Sequence, residues 1–220
     1  HRVDRRQRQM CIRDRIIGLT GKKRSGKDTA GNYLVNRWGF QRFAFADKLK
    51  ESAYGINPLI SVYGTEYLAD LAIQDMAIDS LEKGWLVRLK DLVDYLGWEK
   101  AKEIEEVRRF LQETGTKGGR QVHGDNIWVD KFFKKDFDLD NQHIVVTDIR
   151  FDNEAETILT CDIQTDVLIW ELEREQTQVI DKHVSEAGIS RKYITHYIKN
   201  DGDVTDLYET IEHILKYYRV

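Results

Sequence analysis

A glycine-rich loop between an apolar strand and a helix constrains this chain more than any other feature. Residues 21–29 have the sequence GKKRSGKDT, follow the apolar run 16–20 and precede a helical pattern. Gly21 and Gly26 permit backbone angles at which successive N–H groups point towards one anion at a helix N-terminus. Lys27 adds a point charge for the β- and γ-phosphates of a nucleotide. The pattern favours a phosphate-binding loop over an ordinary glycine turn.

One position of this loop differs from the general motif. Asp28 follows the loop lysine, where a Ser or Thr normally contacts Mg²⁺. Two interpretations remain open at this point. Either the neighbouring Thr29 contacts the metal instead, or Asp28 holds it through a water molecule.

Short apolar runs alternate with helical patterns along most of the chain. The predicted strands are 16–20, 40–45, 144–148, 167–172 and 193–198, and the predicted helices among them are 27–38, 46–54, 152–160 and 204–217. This alternation predicts an α/β fold with a five-stranded parallel sheet and right-handed crossovers. Ligands of such sheets bind at the carboxyl ends of the strands.

The segment between the second and third predicted strands indicates an insertion at about residues 56–140. Residues 67–81 are weakly helical, and residues 86–96 are amphipathic. Residues 98–114 predict one charged helix. Residues 115–120 contain three glycines and predict a loop or a glycine-loosened helical turn.

The first fifteen residues differ from the rest of the chain. They carry six Arg and two Asp, and the stretch MCIRD at 10–14 matches the translation of a common sequencing-library transposon end. We therefore expect residues 1–15 to be a non-native tail rather than a basic nucleic-acid arm. Without them, 28 basic and 36 acidic residues remain, and the formal net charge moves from −4 to −8. An acidic body of this kind argues against a nucleic-acid partner.

The composition predicts a soluble protein of the cytoplasm. Hydrophobic residues make up 41% and charged residues 33% of the chain, and no apolar run reaches the roughly 20 residues needed to cross a bilayer. Cys11 and Cys161 are the two cysteines, which rules out a disulfide framework and fits a reducing compartment. We expect no membrane partner, and a homodimer stays open.

Two arginine-containing groups have both a structural and a functional interpretation. Arg108 and Arg109 either form a solvated helix face or clamp a phosphate through their guanidinium groups. Asp148 and Arg150 follow an apolar strand. They form either a surface ion pair or a site at which the acid holds Mg²⁺ or a substrate hydroxyl and the arginine holds phosphate.

An aromatic residue and a histidine also leave alternatives open. Trp128 is either a core residue or a platform on which a base stacks. His183 with Glu186 falls short of a zinc-binding set. No Cys-x-x-Cys motif, His-Glu-x-x-His motif or serine nucleophile elbow occurs, so metal-dependent hydrolysis and acyl transfer have no support.

Seven segments, in their order and spacing, resemble the deoxynucleoside monophosphate kinases of tailed bacteriophages. They are GKKRSGKDT (21–29), FAFADKLK (43–50), VRRFLQETGT (107–116), NIWVD (126–130), DIRFDNE (148–154), HVSEAG (183–188) and NDG (200–202). The likeness covers nearly the whole chain from Ile16 onward. It also accounts for Asp28, because that family has Asp after the loop lysine.

The resemblance implies a three-layer P-loop kinase fold over residues 16–220, with a helical substrate-binding insertion and a short lid at about 173–191. The residues implied to bind ATP are Gly21, Lys23, Arg24, Ser25, Gly26, Lys27, Asp28, Thr29 and Arg174, with Mg²⁺ held by Asp28 or Thr29. The residues implied to bind the deoxynucleotide are Lys50, Arg108 or Arg109, Gly115, Thr116, Trp128, Asp148, Arg150 and Glu154. Lys27, Arg109 and Arg150 would be catalytic.

The implied reaction is transfer of the ATP γ-phosphoryl group to a deoxynucleoside 5′-monophosphate. Two alternatives stay open. One is a P-loop kinase of another small phosphate acceptor, such as phosphomevalonate or dephospho-coenzyme A. The other is a regulatory module that binds ATP without turnover.

Overall fold

The computed structural model of the chain describes residues 15–133, 143–160, 166–175 and 188–218. They divide into two compact units. The first unit is formed by the described residues of His1–Phe45 and Phe132–Val220, and the second unit by Ala46–Lys131. Among the described residues, no helix has both the length and the apolar character that a membrane crossing needs.

The helices and strands follow one another in this chain order: β1 (Arg15–Thr20), α1 (Lys27–Trp38), β2 (Gln41–Phe43), α2 (Phe45–Ile56), β3 (Leu59–Tyr63), α3 (Thr65–Leu68), α4 (Leu71–Met76), β4 (Asp79–Leu81), β5 (Gly84–Arg88), α5 (Leu89–Ala101), α6 (Glu105–Glu113), a π-helical segment (Thr114–Arg120), α7 (Gln121–His123), α8 (Ile127–Phe133), β6 (Ile144–Val146), α9 (Asp152–Thr160), β7 (Asp166–Glu173), a 3₁₀ turn (Arg191–Tyr193), β8 (His196–Lys199) and α10 (Val204–Tyr217).

The first unit contains the predicted five-stranded parallel sheet, which confirms the α/β fold class. Its strand order is β2-β6-β1-β7-β8, and every neighbouring pair is parallel. β1 lies in the centre, and all six of its residues are buried. Since parallel strands end at the same edge of a sheet, the segments that follow β1, β6, β7 and β8 all leave from that edge.

Helices α1 and α10 pack together against this sheet. Leu34 of α1 and Ile211 of α10 are fully buried in the cluster that contains Trp170 of β7. The rings of Tyr33 and Tyr208 stack at a centroid distance of 4.0 Å, and the Tyr33 hydroxyl donates to Glu212 at 2.8 Å. The contact joins the helix that follows the glycine-rich loop to the last helix of the chain.

The bounds of α1, α9 and α10 agree with the predictions. Gly39 ends α1 in the left-handed conformation (φ 71°), and its N–H group bonds to carbonyls of the last turn. The second predicted strand, 40–45, is wrong at its C-terminal end, because β2 stops at Phe43 and Phe45 already begins α2. The last strand is also shorter than predicted, since residues 191–193 form a 3₁₀ turn.

Arg15 is the first residue of β1 and belongs to the parallel sheet. Arg15 pairs with Asp166 in the register of β1 and β7 and is 4% exposed. Its guanidinium donates to Asp166 at 3.4 Å and to the carbonyl oxygen of Tyr218 at 3.0 Å. Residues 1–14 lie outside the described part of the chain.

The second unit contains an antiparallel sheet that the sequence analysis did not identify. Its strand order is β3-β5-β4, with Ile60 opposite Val87 in the register. In β3 the side chains of Ile60 and Val62 are buried, while Leu59 and Tyr63 are exposed. The amphipathic stretch 86–96 spans the end of β5 and most of α5. The spacing of its apolar residues fits a helix as well as it fits a strand, and only pairing with β3 and β4 distinguishes the residues of β5 from those of α5.

The single helix predicted over residues 98–114 is two helices. α5 ends at Ala101, and α6 begins at Glu105 after Ile104 in extended geometry. Ile104 is 4% exposed, and burial of its side chain in the core of this unit accompanies the break. Charge and hydrophobic spacing alone carry no signal for such a break, because the residues across it are all compatible with a helix.

We predict that Gly84→Ala destabilises the antiparallel sheet of the second unit. A Cβ atom at position 84 would collide with the carbonyl oxygen of Val62 on the paired strand. The expected loss is about 1–3 kcal/mol in the free energy of unfolding, measured by chemical denaturation. The matched control is Gly55→Ala on α2, where no atom lies within 4 Å of the added carbon. That change should leave stability equal or slightly higher. Equal stability of the two variants would contradict the close strand packing.

Candidate functional site

The predicted phosphate loop, residues 21–29, lies between β1 and α1 as expected. Gly21 (φ 129°), Arg24 (φ 65°) and Gly26 (φ 103°) have positive φ angles. A side chain at Gly21 would collide with the carbonyl oxygen of Leu172 in β7, so only glycine lets the loop start this close to the sheet. Gly26 immediately precedes the first residue of α1, where free backbone N–H groups favour an anion.

Lys27 spans the loop from the first turn of α1. Its Nζ atom donates to the carbonyl oxygens of Gly21 and Lys22, at 2.6 Å in each case. Both acceptors are uncharged carbonyl oxygens, and these bonds use two of the three N–H donors of the ammonium group. Phosphate oxygens are stronger, charge-assisted acceptors than these carbonyls. The lysine is therefore placed to exchange carbonyl contacts for phosphate contacts.

A cavity of about 410 Å³ opens beside the phosphate loop, and all of its lining belongs to the first unit. Six lining residues were predicted to bind ATP or its metal: Arg24, Gly26, Lys27, Asp28, Thr29 and Arg174. Five were not: Asn200, Gly202, Asp203, Val204 and Leu207. The structure thus brings Arg174, which is distant in sequence, to the same cavity as the loop.

The five additional residues come from the turn after β8 and the start of α10. Asp203 caps α10 by accepting N–H groups of Thr205 and Asp206, and the Asp206 side chain accepts the Asp203 N–H in return. The motif NDG at 200–202 is one of the seven segments that carry the family resemblance. The position of this motif directly after the last predicted strand could have indicated these cavity residues, because ligands lie at the carboxyl ends of parallel strands.

Asp28 and Thr29 supply the kind of oxygen donors that Mg²⁺ accepts. Both lie in the first turn of α1 and line the cavity beside Lys27. Among the described residues, no group of three or more His, Cys, Asp or Glu side chains could hold a metal alone. Mg²⁺ typically binds through one or two protein oxygens together with substrate phosphates and water. The donor set fits that mode.

Asp148 lies two residues beyond β6, at the carboxyl edge of the parallel sheet. Its Oδ1 atom accepts the backbone N–H of Phe45 at 2.8 Å, at the first residue of α2. The neighbouring backbone is tied to the sheet, since the Ile149 N–H donates to Leu19 at 3.1 Å. The carboxylate is therefore held at a fixed place beside the end of β1.

Glu154 orders the segment that carries Arg150. It is 3% exposed, and its Oε2 atom accepts the N–H groups of Arg150 at 2.8 Å and Phe151 at 3.2 Å. These contacts fold the chain between β6 and α9 into a fixed turn. Arg150 itself is exposed. The geometry gives Glu154 a definite role in shaping this turn, and contact with a substrate stays a prediction for both residues.

Two of the predicted substrate-binding residues, Gly115 and Thr116, lie in the π-helical segment 114–120. Of the two alternatives predicted there, a loop or a glycine-loosened helical turn, the structure has the helical turn. Trp128 is 8% exposed, and its indole N–H donates to the carbonyl oxygen of Gly115 at 3.0 Å. A Cβ atom on Gly119 would collide with the indole ring. Trp128 is thus packed against this segment, which agrees with the core interpretation and fixes the backbone beside Thr116.

Helix α2 approaches the same segment at Leu49. A Cβ atom on Gly115 would lie 3.0 Å from the side chain of Leu49, so Gly115 permits close contact between these elements. The Lys50 side chain is 17% exposed and pairs with Asp47 at 3.2 Å. Within the second unit, α2 therefore meets the 115–116 backbone at Leu49, the residue before Lys50.

The two neighbouring arginines of α6 differ in exposure. The Arg109 side chain is 60% exposed, and Glu106 binds its guanidinium through two bonds, of 2.9 and 2.6 Å. This pairing raises the pKa of Arg109. Arg108 is half-buried. A phosphate recognised by Arg109 would have to compete with Glu106, or accept the donors that this carboxylate leaves available.

The predicted lid, about residues 173–191, is described at its two ends, and residues 176–187 with His183 and Glu186 lie outside the described residues. At one end, Asp201 accepts the N–H of Glu175 at 2.7 Å. At the other, Asp152 accepts the N–H of Ser190 at 2.7 Å. The Ser190 hydroxyl also donates to Asp152, and this bond together with the Ser190 N–H lowers the pKa of Asp152, while the Glu175 N–H lowers the pKa of Asp201. Each end of the segment is thus anchored next to a strand end or helix start of the first unit.

Comparison with known proteins gives one consistent result. The sequence model of the family described as "Deoxynucleotide monophosphate kinase" matches residues 15–96 and 89–211. The deoxynucleoside-5′-monophosphate kinase of Escherichia phage T5 is 26% identical over 237 residues, which cover 86% of this chain and 90% of the relative.

Two further phage proteins agree with this result. The deoxynucleotide monophosphate kinase of Escherichia phage RB69 is 24% identical over 91% of this chain and 99% of its own length. Its namesake from Enterobacteria phage T4 is 25% identical over 92% of this chain and 99% of its own length. With a family match that extends from β1 into α10, the chain belongs to the deoxynucleotide monophosphate kinase family.

Proposed function

We propose that this protein transfers the γ-phosphoryl group of ATP to the 5′-phosphate of a deoxynucleoside monophosphate. The observation that carries the proposal is Lys27, whose ammonium group is held at 2.6 Å from two loop carbonyls beside a cavity of about 410 Å³. Membership of the kinase family supports the reaction class. We expect the reaction to take place in the cytoplasm of a phage-infected host, on a free nucleotide.

The first unit supplies the proposed ATP site. The phosphate loop would bind the β- and γ-phosphates through backbone N–H groups and Lys27, with Lys23, Arg24 and Ser25 contributed by the same loop. Arg174 lines the same cavity and would contact the nucleotide there. Asp28 and Thr29 would hold Mg²⁺ with the phosphates. When bound, this ion neutralises charge on the phosphate oxygens and orients them.

The proposed deoxynucleotide-binding residues are assigned by their family motifs. In the first unit they are Asp148, Arg150 and Glu154, and in the second Lys50, Arg108 or Arg109, Gly115, Thr116 and Trp128. Asp148 and Lys50 have ordered surroundings in the structure, since each has a defined hydrogen-bond partner. Trp128 would act by holding the backbone of Gly115 rather than by stacking with a freely exposed ring.

The reaction needs little proton chemistry from the protein. The attacking group is a phosphate oxygen that already carries negative charge at neutral pH, so no strong general base is required. The work of the chain is to align two anions, neutralise their repulsion and exclude water. Lys27, Arg109 and Arg150 would supply the positive charge.

The first test is a panel of acceptors. With Mg-ATP, we expect ADP release with at least one of dAMP, dGMP, dCMP and dTMP, at rates well above release without an acceptor. Phosphomevalonate and dephospho-coenzyme A serve as alternative acceptors in the same assay. Turnover with either of these alone would contradict the proposal. Binding of ATP without turnover on any acceptor would instead indicate a regulatory module.

Lys27→Met should lower kcat by about 10²-fold or more, because it removes a positive charge that stabilises the transferring phosphoryl group. The measurement is steady-state ADP release at saturating ATP and acceptor. Lys216→Met on α10 is a suitable control, since that side chain is 74% exposed and outside the cavity. An unchanged kcat for Lys27→Met in folded protein would exclude the assigned role of the loop.

Arg109→Ala should reduce kcat/KM for the deoxynucleotide by about tenfold or more, through loss of a bidentate phosphate contact. Affinity for ATP, measured by calorimetry without acceptor, should change less than about twofold. Arg88→Ala provides a control in the same unit, because Arg88 is exposed and donates to the Asn57 carbonyl oxygen. An effect on ATP affinity alone would reassign Arg109 to the donor nucleotide.

A further inference from the structure

We propose that Asn200 is a positioning residue. It fixes the orientation of the Ser25–Gly26 peptide group in the phosphate loop, and thereby the affinity of the loop for the ATP phosphates. The inference rests on the proposed binding of ATP by this loop. Asn200 is separated from the loop by some 175 positions in the chain, yet its side-chain amide donates to the carbonyl oxygen of Ser25 at 2.9 Å. It is 7% exposed, so this bond is shielded from competing water.

The backbone of Asn200 is itself fixed by the parallel sheet. It directly follows β8, and its N–H group donates to the carbonyl oxygen of Glu173 in β7 at 2.8 Å. The side chain therefore starts from a point determined by the pairing of β7 with β8. Because the Asn side chain has only two torsions, the place of its amide group is closely limited by the place of its backbone.

Asn200 also contacts the loop at a second point. A Cβ atom on Gly26 would collide with the Asn200 amide nitrogen, so the amide occupies the space that a side chain would otherwise take. Gly26 has φ 103° and ψ 8°, in the left-handed region that glycine tolerates. One side chain thus bonds to Ser25 and packs against Gly26, the two residues that precede Lys27.

The trans peptide bond between Ser25 and Gly26 relates the Asn200 contact to the orientation of the Gly26 N–H group. In a planar trans peptide, the C=O of Ser25 and the N–H of Gly26 point to opposite sides. Because Asn200 holds the carbonyl on its own side, the Gly26 N–H must point to the other side of the loop. The loop N–H groups are the proposed phosphate ligands, so a rotated peptide would remove one donor from the anion.

Asn200 also lines the cavity, which raises the alternative that it touches the nucleoside part of ATP directly. Inorganic tripolyphosphate separates the two roles, because it has the phosphates of ATP without sugar or base. We expect the dissociation constants of Mg-ATP and Mg-tripolyphosphate, measured by calorimetry, to rise by a similar factor of about ten in Asn200→Leu. Leucine branches at Cγ as asparagine does but cannot donate a hydrogen bond.

Asn200→Ala provides a second variant, because it removes the amide without adding a new contact and remains informative if the leucine variant does not fold. Asn36→Leu, at an exposed position on α1, is the matched control and should bind both ligands like the unaltered protein. The KM for the deoxynucleotide should stay within about twofold in the Asn200 variants. A general loss of structure would alter that KM as well, and circular dichroism checks the fold.

Two results would overturn the inference while leaving the proposed function intact. Weaker binding of ATP with unchanged binding of tripolyphosphate would show that Asn200 contacts the nucleoside. Unchanged binding of both ligands would show that the turn after β8 has no influence on the loop. Failure of the unaltered protein to bind either ligand would contradict the phosphate loop itself, and so the proposed function on which the inference rests.

Discussion

The parallel pairing of β1 with β6 and β7 is the constraint on which the first unit depends. β1 is buried between these two strands, and Gly21 leaves it so close to β7 that a side chain would meet the Leu172 carbonyl oxygen. The backbone of the phosphate loop therefore begins at a point fixed by the sheet. Burial of apolar side chains such as Ile17 and Leu19 supplies the free energy that holds this arrangement against the strained backbone angles of the loop.

The shared direction of the strands explains why distant residues meet beside the loop. Asp148 follows β6, Arg174 follows β7 and Asn200 follows β8, and all these strands run parallel to β1. Their ends therefore lie along one edge of the sheet, where Arg174 and Asn200 line a common cavity with Lys27. The strands that precede Arg174 and Asn200 are held by their pairing in the sheet, and Asn200 bonds to Ser25 of the loop. Rigid placement of this kind reduces the reorganisation needed when charge develops during phosphoryl transfer.

The second unit uses close packing around glycine in place of a parallel sheet. Leu49 packs closely against Gly115, and the ring of Trp128 packs closely against Gly119. Two side chains therefore contact the π-helical segment at its glycines. A seven-residue π-helix is unusual, and such segments are frequent at functional sites. Little of this could be predicted from the sequence. The glycines indicated a loosened turn, but the partners that fill their open sides come from other helices, and no local pattern specifies them.

The parallel α/β fold, the bounds of α1, α9 and α10, and the glycine-rich loop could all be predicted, because each depends on local signals. Those signals are short apolar runs, helix caps such as Gly39, and the spacing of Gly21, Gly26 and Lys27. Three features emerge only in the folded chain: the antiparallel sheet within residues 59–88, the pairing of Arg109 with Glu106, and the hydrogen bond from Asn200 to Ser25. Pairing across a sheet and side-chain partnership depend on which surfaces meet after folding, and hydrophobic periodicity along the chain does not encode that choice.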